Sequence, residues 1–144
     1  MEQLTNKTSN YVDRPVKIVQ FGEGNFLRAF VDYMIDVANE KGLFDGSIIL
    51  VKPRSKSNVD VFIKQDCKET VMLRGLIDNQ KYEETRLITS IKDIVSPFLN
   101  YEDYINISKI DTLKYVISNT TEAGIVYNPN DDFNENLDIS FPAK

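Results

Sequence analysis

The residues best suited to chemistry in this sequence are Gly22-Glu23-Gly24-Asn25-Phe26-Leu27-Arg28. They follow a short apolar run, Val16–Phe21, and open a stretch with helical apolar spacing. A strand, a glycine turn and a helix in that order form the setting of a dinucleotide fingerprint. There Gly22 permits a tight turn, and Gly24 lets the backbone approach a pyrophosphate. The N–H groups at the helix start then serve the phosphate oxygens. Arg28, in the first turn, lies within reach of a phosphate or of the substrate side. Leu27 stands where G-x-G-x-x-G has its third glycine. The residues by themselves therefore leave two readings, a nucleotide site or a plain glycine-rich turn.

Two further stretches carry polar groups where an α/β sheet binds ligands. The apolar run Ser47–Val51 ends in Lys52-Pro53-Arg54-Ser55-Lys56-Ser57. An NAD-binding domain usually places Asp or Glu there for the ribose hydroxyls. A basic, hydroxyl-rich loop suits the 2′-phosphate of NADP, or is simply solvated. Later, Ser118-Asn119-Thr120-Thr121-Glu122 follows the run 113–118, which reads as a buried strand of the parallel type. Asn119 and Thr120 in that place can bond a nicotinamide amide or a ribose, and Glu122 can serve as an acid, a base or a ligand for hydroxyls. The alternative is a helix cap by Asn119 or Thr121.

Composition bounds what such a site can do. The 144 residues have 42% hydrophobic and 27% charged content, ordinary for a globular domain and sufficient for only one. There is no histidine, which excludes Ser-His-Asp hydrolysis, Cys-His proteolysis and the common zinc sites within this chain. Cys67 is the single cysteine, so no internal disulfide forms. It lacks a neighbouring base pattern and reads as an ordinary thiol. A formal charge of −5 argues against a general nucleic-acid binder. No apolar run is long enough for a membrane span, and the polar N-terminus lacks the apolar core of a signal peptide. These features predict a cytoplasmic chain without a membrane or nucleic-acid partner.

The elements that must position the candidate residues follow from periodicity. Residues 1–15 read as a flexible polar arm, and 16–144 as one nucleotide-binding domain. Val16–Phe21 is predicted as a strand. The spacing of Phe26, Phe30, Met34 and Ala38, with Leu27, Val31 and Ile35, predicts a helix over 26–41 whose wide apolar stripe packs on a sheet. Asn25 is placed to cap it, and Asp32, Asp36 and Asn39 fall off the stripe. Gly42 sits where a C-terminal glycine belongs. Ser47–Val51, apolar throughout, reads as a strand buried on both faces, which completes a right-handed βαβ crossover. Residues 58–66 have helical spacing. Strands over 69–76 and 82–91 around the turn 78–81 predict an inserted β-hairpin. Residues 101–110 read as a helix and 128–144 as loop. The fold class is α/β and Rossmann-like, a mainly parallel sheet with helices on both faces.

The segment 19–30, Val-Gln-Phe-Gly-Glu-Gly-Asn-Phe-Leu-Arg-Ala-Phe, closely resembles the N-terminal part of the mannitol dehydrogenase family of long-chain polyol dehydrogenases, and within it the members that act on sugar acids. The family signature G-x-G-N-F-x-R-A is met by residues 22–29 and does not require the third glycine. Leu73-Arg74-Gly75-Leu76 and Ile117-Ser118-Asn119-Thr120-Thr121-Glu122-Ala123-Gly124-Ile125 resemble two more family segments, and Phe141-Pro142-Ala143-Lys144 the start of another. The resemblance thus covers nearly the whole chain after its first 15 residues.

It implies an NAD-dependent interconversion of D-tagaturonate and D-altronate, a step of hexuronate catabolism. It implies cofactor contacts at Phe21, Gly22, Gly24, Asn25, Phe26, Arg28, Asn119, Thr120, Thr121 and Glu122. It favours NAD, although Lys52, Arg54 and Lys56 would tolerate NADP. In the family a catalytic lysine with Asn and His partners lies in a helical C-terminal domain. The resemblance therefore implies no catalytic residue in this chain, no turnover by it alone, and apolar surface left for that domain. Two alternatives remain: a mannitol or fructuronate oxidoreductase of the same family, and a non-catalytic nucleotide-binding module.

Overall fold

The computed structural model describes residues 3–52 and 59–120. Among these residues six strands and four short α-helices follow in order: β1 (Val16–Phe21), α1 (Asn25–Leu27), α2 (Tyr33–Glu40), β2 (Ser47–Val51), α3 (Asp60–Lys64), β3 (Glu69–Ile77), β4 (Gln80–Ile88), β5 (Ile91–Val95), α4 (Tyr101–Asn106) and β6 (Tyr115–Ser118). A π-helical segment, Arg28–Asp32, joins α1 to α2, and a 3-10 turn, Ile107–Lys109, extends α4.

Four strands make an all-parallel sheet in the order β5-β2-β1-β6. The first crossover goes from β1 to β2 on one side, while β6 joins β1 on the other. The strand order therefore reverses beside β1, as at the ligand-binding switch point of open α/β sheets. The register brings the carboxyl ends of the strands into one row, with Phe21 opposite Val51 and Ser118, and Val51 opposite Val95. β3 and β4 form the separate antiparallel hairpin. Its two-residue turn, Asp78-Asn79, has φ of 51° and 62°, the left-handed pair that such a turn demands.

Alternation along the strands divides the core. Ile18, Ile48 and Leu50 pack on one face with Tyr33 and Ile35 of α2 and Phe62 of α3. Val19, Ile49 and Val51 pack on the other with Ile107 and Tyr104. Helices therefore cover both faces, as expected for the Rossmann-like class. β2 is buried throughout, which explains its unbroken apolar sequence. Cys67 is buried, and burial pushes its thiol up to about 12, so it takes no part in chemistry near neutral pH. Residues 3–14 lie against the domain through Gln3 Nε2 donating to Lys64 O (2.6 Å), Asn6 N donating to Asp66 Oδ2 (2.9 Å) and the Lys92–Asp13 pair (2.6 Å). No helix among the described residues is long and apolar enough to cross a membrane.

Three expectations need correction. The first helix buries only one row of its apolar stripe, Leu27 with Ile35 packed on the core, and not the other. Phe26, Phe30 and Met34 are exposed, whereas Leu27, Asp32, Asp36 and Asn39 are buried. The π segment is the cause. It places one extra residue in a turn, so the buried row steps by five from Leu27 to Asp32 before resuming helical spacing. The buried polar groups bond to β4 and to the loops that lead into β5 and β2. Asp36 accepts from Thr89 N (2.6 Å) and from Arg86 Nε and Nη2 (2.9 and 2.7 Å), while Asn39 bonds both ways to Gly46 (2.8 and 3.2 Å).

The second correction concerns Ile91–Val95. The sequence reading carries the returning hairpin strand through Ile91 and marks the run Ile91–Val95 as ending at Ser96-Pro97 without giving it an element type. The structure ends that strand at Ile88 and makes Ile91–Val95 a parallel strand of the main sheet. Its central Lys92 and Asp93 are exposed, a pattern that hides a strand from apolar counting. Third, β6 is not buried. It pairs only with β1 among the described residues, and Tyr115 and Val116 are exposed. Gly42 behaves as expected at φ 67°: Leu43 N donates to Ala38 O (2.9 Å) and Gly42 N to Asn39 O (3.1 Å), the paired bonds of a Schellman C-terminus.

Candidate functional site

The first candidate motif lies at the switch point. Gly22 has φ of 111°, open to glycine almost alone, and its N–H donates to Val51 O (2.9 Å), which ties the turn to the end of β2. Gly22→Ala is expected to destabilise the fold by about 1–3 kcal/mol in urea unfolding. Gly24, not Asn25, is the cap residue of α1, with φ −68° and ψ 152°. Asn25 instead accepts from Arg28 Nη2 through Oδ1 (2.5 Å). A β-carbon on Gly24 would meet nothing within 4 Å. The start of α1 thus carries no capping side chain and has open space over its cap residue, an open cradle at the helix start.

Arg28 is not a free cation aimed at that cradle. Its Nε donates to Glu23 O (2.9 Å), Nη1 pairs with Glu69 of β3, Nη2 holds Asn25, and the guanidinium lies 5.2 Å from the Phe62 ring centre. With Glu69 and Asn25 it lines a cavity of about 340 Å³ between α1 and β3. Arg28 thus braces the glycine turn against the hairpin. Behind it, Gln20 Nε2 donates to Gly22 O and to Asp32 Oδ2, both at 3.2 Å. Two side chains therefore hold the successive carbonyls of Gly22 and Glu23.

This support contains unusual electrostatics. Asp32 is fully buried, and burial pushes its carboxyl up to about 7; the Gln20 hydrogen bond opposes this, and the Glu69 charge adds to it. Burial also raises Glu69 despite its Arg28 partner. Asp32 Oδ1, Gln20 Oε1 and Glu69 Oε1 have no hydrogen-bond partner among the described residues. A proton on Asp32 gives this cluster of acceptors a donor.

The other candidates gather along the same row of strand ends. Lys52 follows Val51, its N–H donates to Val95 O (2.8 Å), and its Nζ pairs with Glu23. Residues 53–58, including Arg54 and Lys56, lie outside the described residues. Asn119 and Thr120 are exposed directly after β6, whose last residue Ser118 is opposite Phe21. Thr121 and Glu122 lie outside the described residues. Phe21 is half-buried and meets Tyr104 edge-on (6.4 Å), while Phe26 is exposed and stacks on Phe30 (5.5 Å). No group of three or more metal-ligating side chains occurs among the described residues. Sequence reasoning missed Gln20, Glu23, Asp32 and Glu69. Only Glu23, lodged between two glycines, carried a local signal.

No family model matches the chain. It is 39% identical to altronate oxidoreductase of Bacillus subtilis (strain 168) over 145 aligned residues, with 100% of this chain and 30% of that protein covered. It is 38% identical to altronate oxidoreductase of Phocaeicola vulgatus, again over 100% of this chain and 30% of the relative. In structure it matches Pseudomonas fluorescens mannitol 2-dehydrogenase, solved as a ternary complex with NAD and D-mannitol, with a TM-score of 0.73 at 25% identity over 85% of this chain and 27% of that one. A D-sorbitol dehydrogenase, at 19% identity and a TM-score of 0.69, shares the fold. The chain, spanning about 30% of these oxidoreductases, is similar to altronate oxidoreductases along its whole length and has the Rossmann-like fold of mannitol 2-dehydrogenase.

Proposed function

We propose that these residues form the NAD(H)-binding part of an altronate oxidoreductase, also called tagaturonate reductase, which passes hydride between NAD(H) and the D-altronate/D-tagaturonate pair. The observation that carries this reading is the likeness over 100% of the chain to altronate oxidoreductases. The uncapped, open glycine turn at the switch point supports it. The 39% identity to the sugar-acid enzymes, against 25% to the mannitol enzyme, favours the sugar acid over the polyol.

The backbone of Gly22, Gly24 and Asn25 would hold the pyrophosphate, Phe26 would border it, and Arg28 would keep the turn in shape. Phe21 and the stretch Asn119, Thr120, Thr121 and Glu122 would serve the nicotinamide half. When bound, the nicotinamide gives or takes the hydride. The base and the sugar-acid contacts would come from a helical domain outside these 144 residues, so this chain alone should bind cofactor without turnover. Its setting would be the cytoplasm, in hexuronate catabolism.

Titration with NADH, followed by the nucleotide's own fluorescence, tests the reading; the chain has no tryptophan to interfere. Saturable binding is expected. Gly24→Asp should abolish it with the melting temperature nearly unchanged, because the new side chain enters open space and places a carboxylate where the phosphate sits. Binding that survives Gly24→Asp in a folded chain would rule out the glycine turn as the site.

A further inference from the structure

The proposed function takes NAD rather than NADP, a choice ordinarily made where β2 ends. Where β2 ends, an NAD-selective domain of this class presents Asp or Glu to the ribose hydroxyls, and an NADP-selective one presents a cation to the 2′-phosphate. Here the residue after β2 is Lys52, which by sequence favours the phosphate. In the structure Lys52 is already answered. Its Nζ is paired with Oε1 of Glu23, and the two side chains are only 14% and 25% exposed. Glu23 stands between Gly22 and Gly24, and the register that sets Phe21 beside Val51 brings it to the end of β2. Gly22 N–H to Val51 O holds the two segments together.

We infer that Glu23 is the residue that sets cofactor specificity, supplying from the glycine turn the carboxylate that the end of β2 lacks. The inference rests on the dinucleotide reading above. A carboxylate paired through one oxygen can still accept a ribose hydroxyl at the other. A 2′-phosphate would find Lys52 already neutralised by Glu23 and the outer carboxylate oxygen an acceptor facing an acceptor. Among the described residues the other nearby cation gives no help, because Arg28 donates to the backbone carbonyl of Glu23 and has its own charge answered by Glu69. The described part of the site therefore offers a 2′-phosphate no unpaired cation, because the Glu23–Lys52 and Arg28–Glu69 pairs carry no net positive charge.

The test compares NADH and NADPH binding by nucleotide fluorescence in the 144-residue chain and two variants, each checked for a cooperative melt. The unmodified chain should bind NADH more tightly. Glu23→Gln frees Lys52, so the preference for NADH should fall by about tenfold, or ~1.4 kcal/mol. Lys52→Gln leaves Glu23 unpaired and should widen the preference, and it decides the matter if Glu23→Gln does not fold. An unmodified chain that prefers NADPH overturns the inference. So does an unchanged preference in a folded Glu23→Gln, or a narrowed one in Lys52→Gln. Failure of the folded, unmodified chain to bind either nucleotide overturns the dinucleotide reading itself.

Discussion

Replacing Arg28 with alanine is expected to cost the fold about 3 kcal/mol, read as a lowered urea midpoint by circular dichroism. The magnitude follows from what the side chain leaves behind. Glu69 is 15% exposed, and one of its oxygens already has no partner among the described residues. Without Arg28 its charge is buried and unanswered, beside Asp32. The Glu23 carbonyl loses its donor, Asn25 its neighbour and the Phe62 ring its guanidinium in the same step. Breaking one side of a buried ion pair costs far more than removing both. Adding Glu69→Gln to Arg28→Ala should therefore restore a good part of the loss. Arg28→Lys should rescue it only partly, because an ammonium cannot hold several acceptors in a planar fork. An Arg28→Ala chain as stable as the parent would show that the brace contributes nothing.

The second large effect is a pH dependence set by Asp32. Its carboxyl titrates near 3.8 in an unfolded chain and at about 7 in the fold. Between those values the folded state keeps a proton that the unfolded state has released. Stability from this group is fully present at low pH and is lost as pH rises through about 7. At 1.36 kcal/mol per pH unit the interval sets an upper bound of about 4 kcal/mol, and relaxation around the site brings the expected loss to roughly 2. Asp32→Asn keeps the shape, supplies a donor and cannot ionise. It should stabilise the chain at pH 8 and flatten the dependence between pH 5 and 8, as measured by urea midpoints across that range. Asp13, exposed and held low by Lys92, acts in the opposite sense but only at more acidic pH. A variant with the parent's slope and lower stability at pH 8 would show that Asp32 is ionised and supported in the fold.

Both effects arise from the polar underside of the glycine turn, and that underside was the least legible part of the sequence. The turn could be read because glycines between an apolar strand and an apolar-periodic stretch have few structural uses. β2 was legible because a strand buried on both faces is apolar at every position. The hairpin was legible because Asp78-Asn79 separates two β-prone runs. β5 was misread because an edge strand among the described residues tolerates Lys92 and Asp93 in its middle. The burial of the first helix was misread because apolar spacing assumes a regular α-helix, and five residues of π geometry turn Asp32 and Asp36 inward and Phe30 and Met34 outward.

The sequence by itself determined the first parallel crossover, the inserted hairpin and the position of the glycine turn. Each depends on interactions between near neighbours, namely backbone freedom at glycine and the alternation of apolar residues. Only the tertiary structure decided what the charged residues of the turn do. Glu23 meets Lys52 from 29 residues away, and Arg28 meets Glu69 from 41. A charge acts through the partner that faces it, and no local pattern specifies a partner that the fold alone brings into contact.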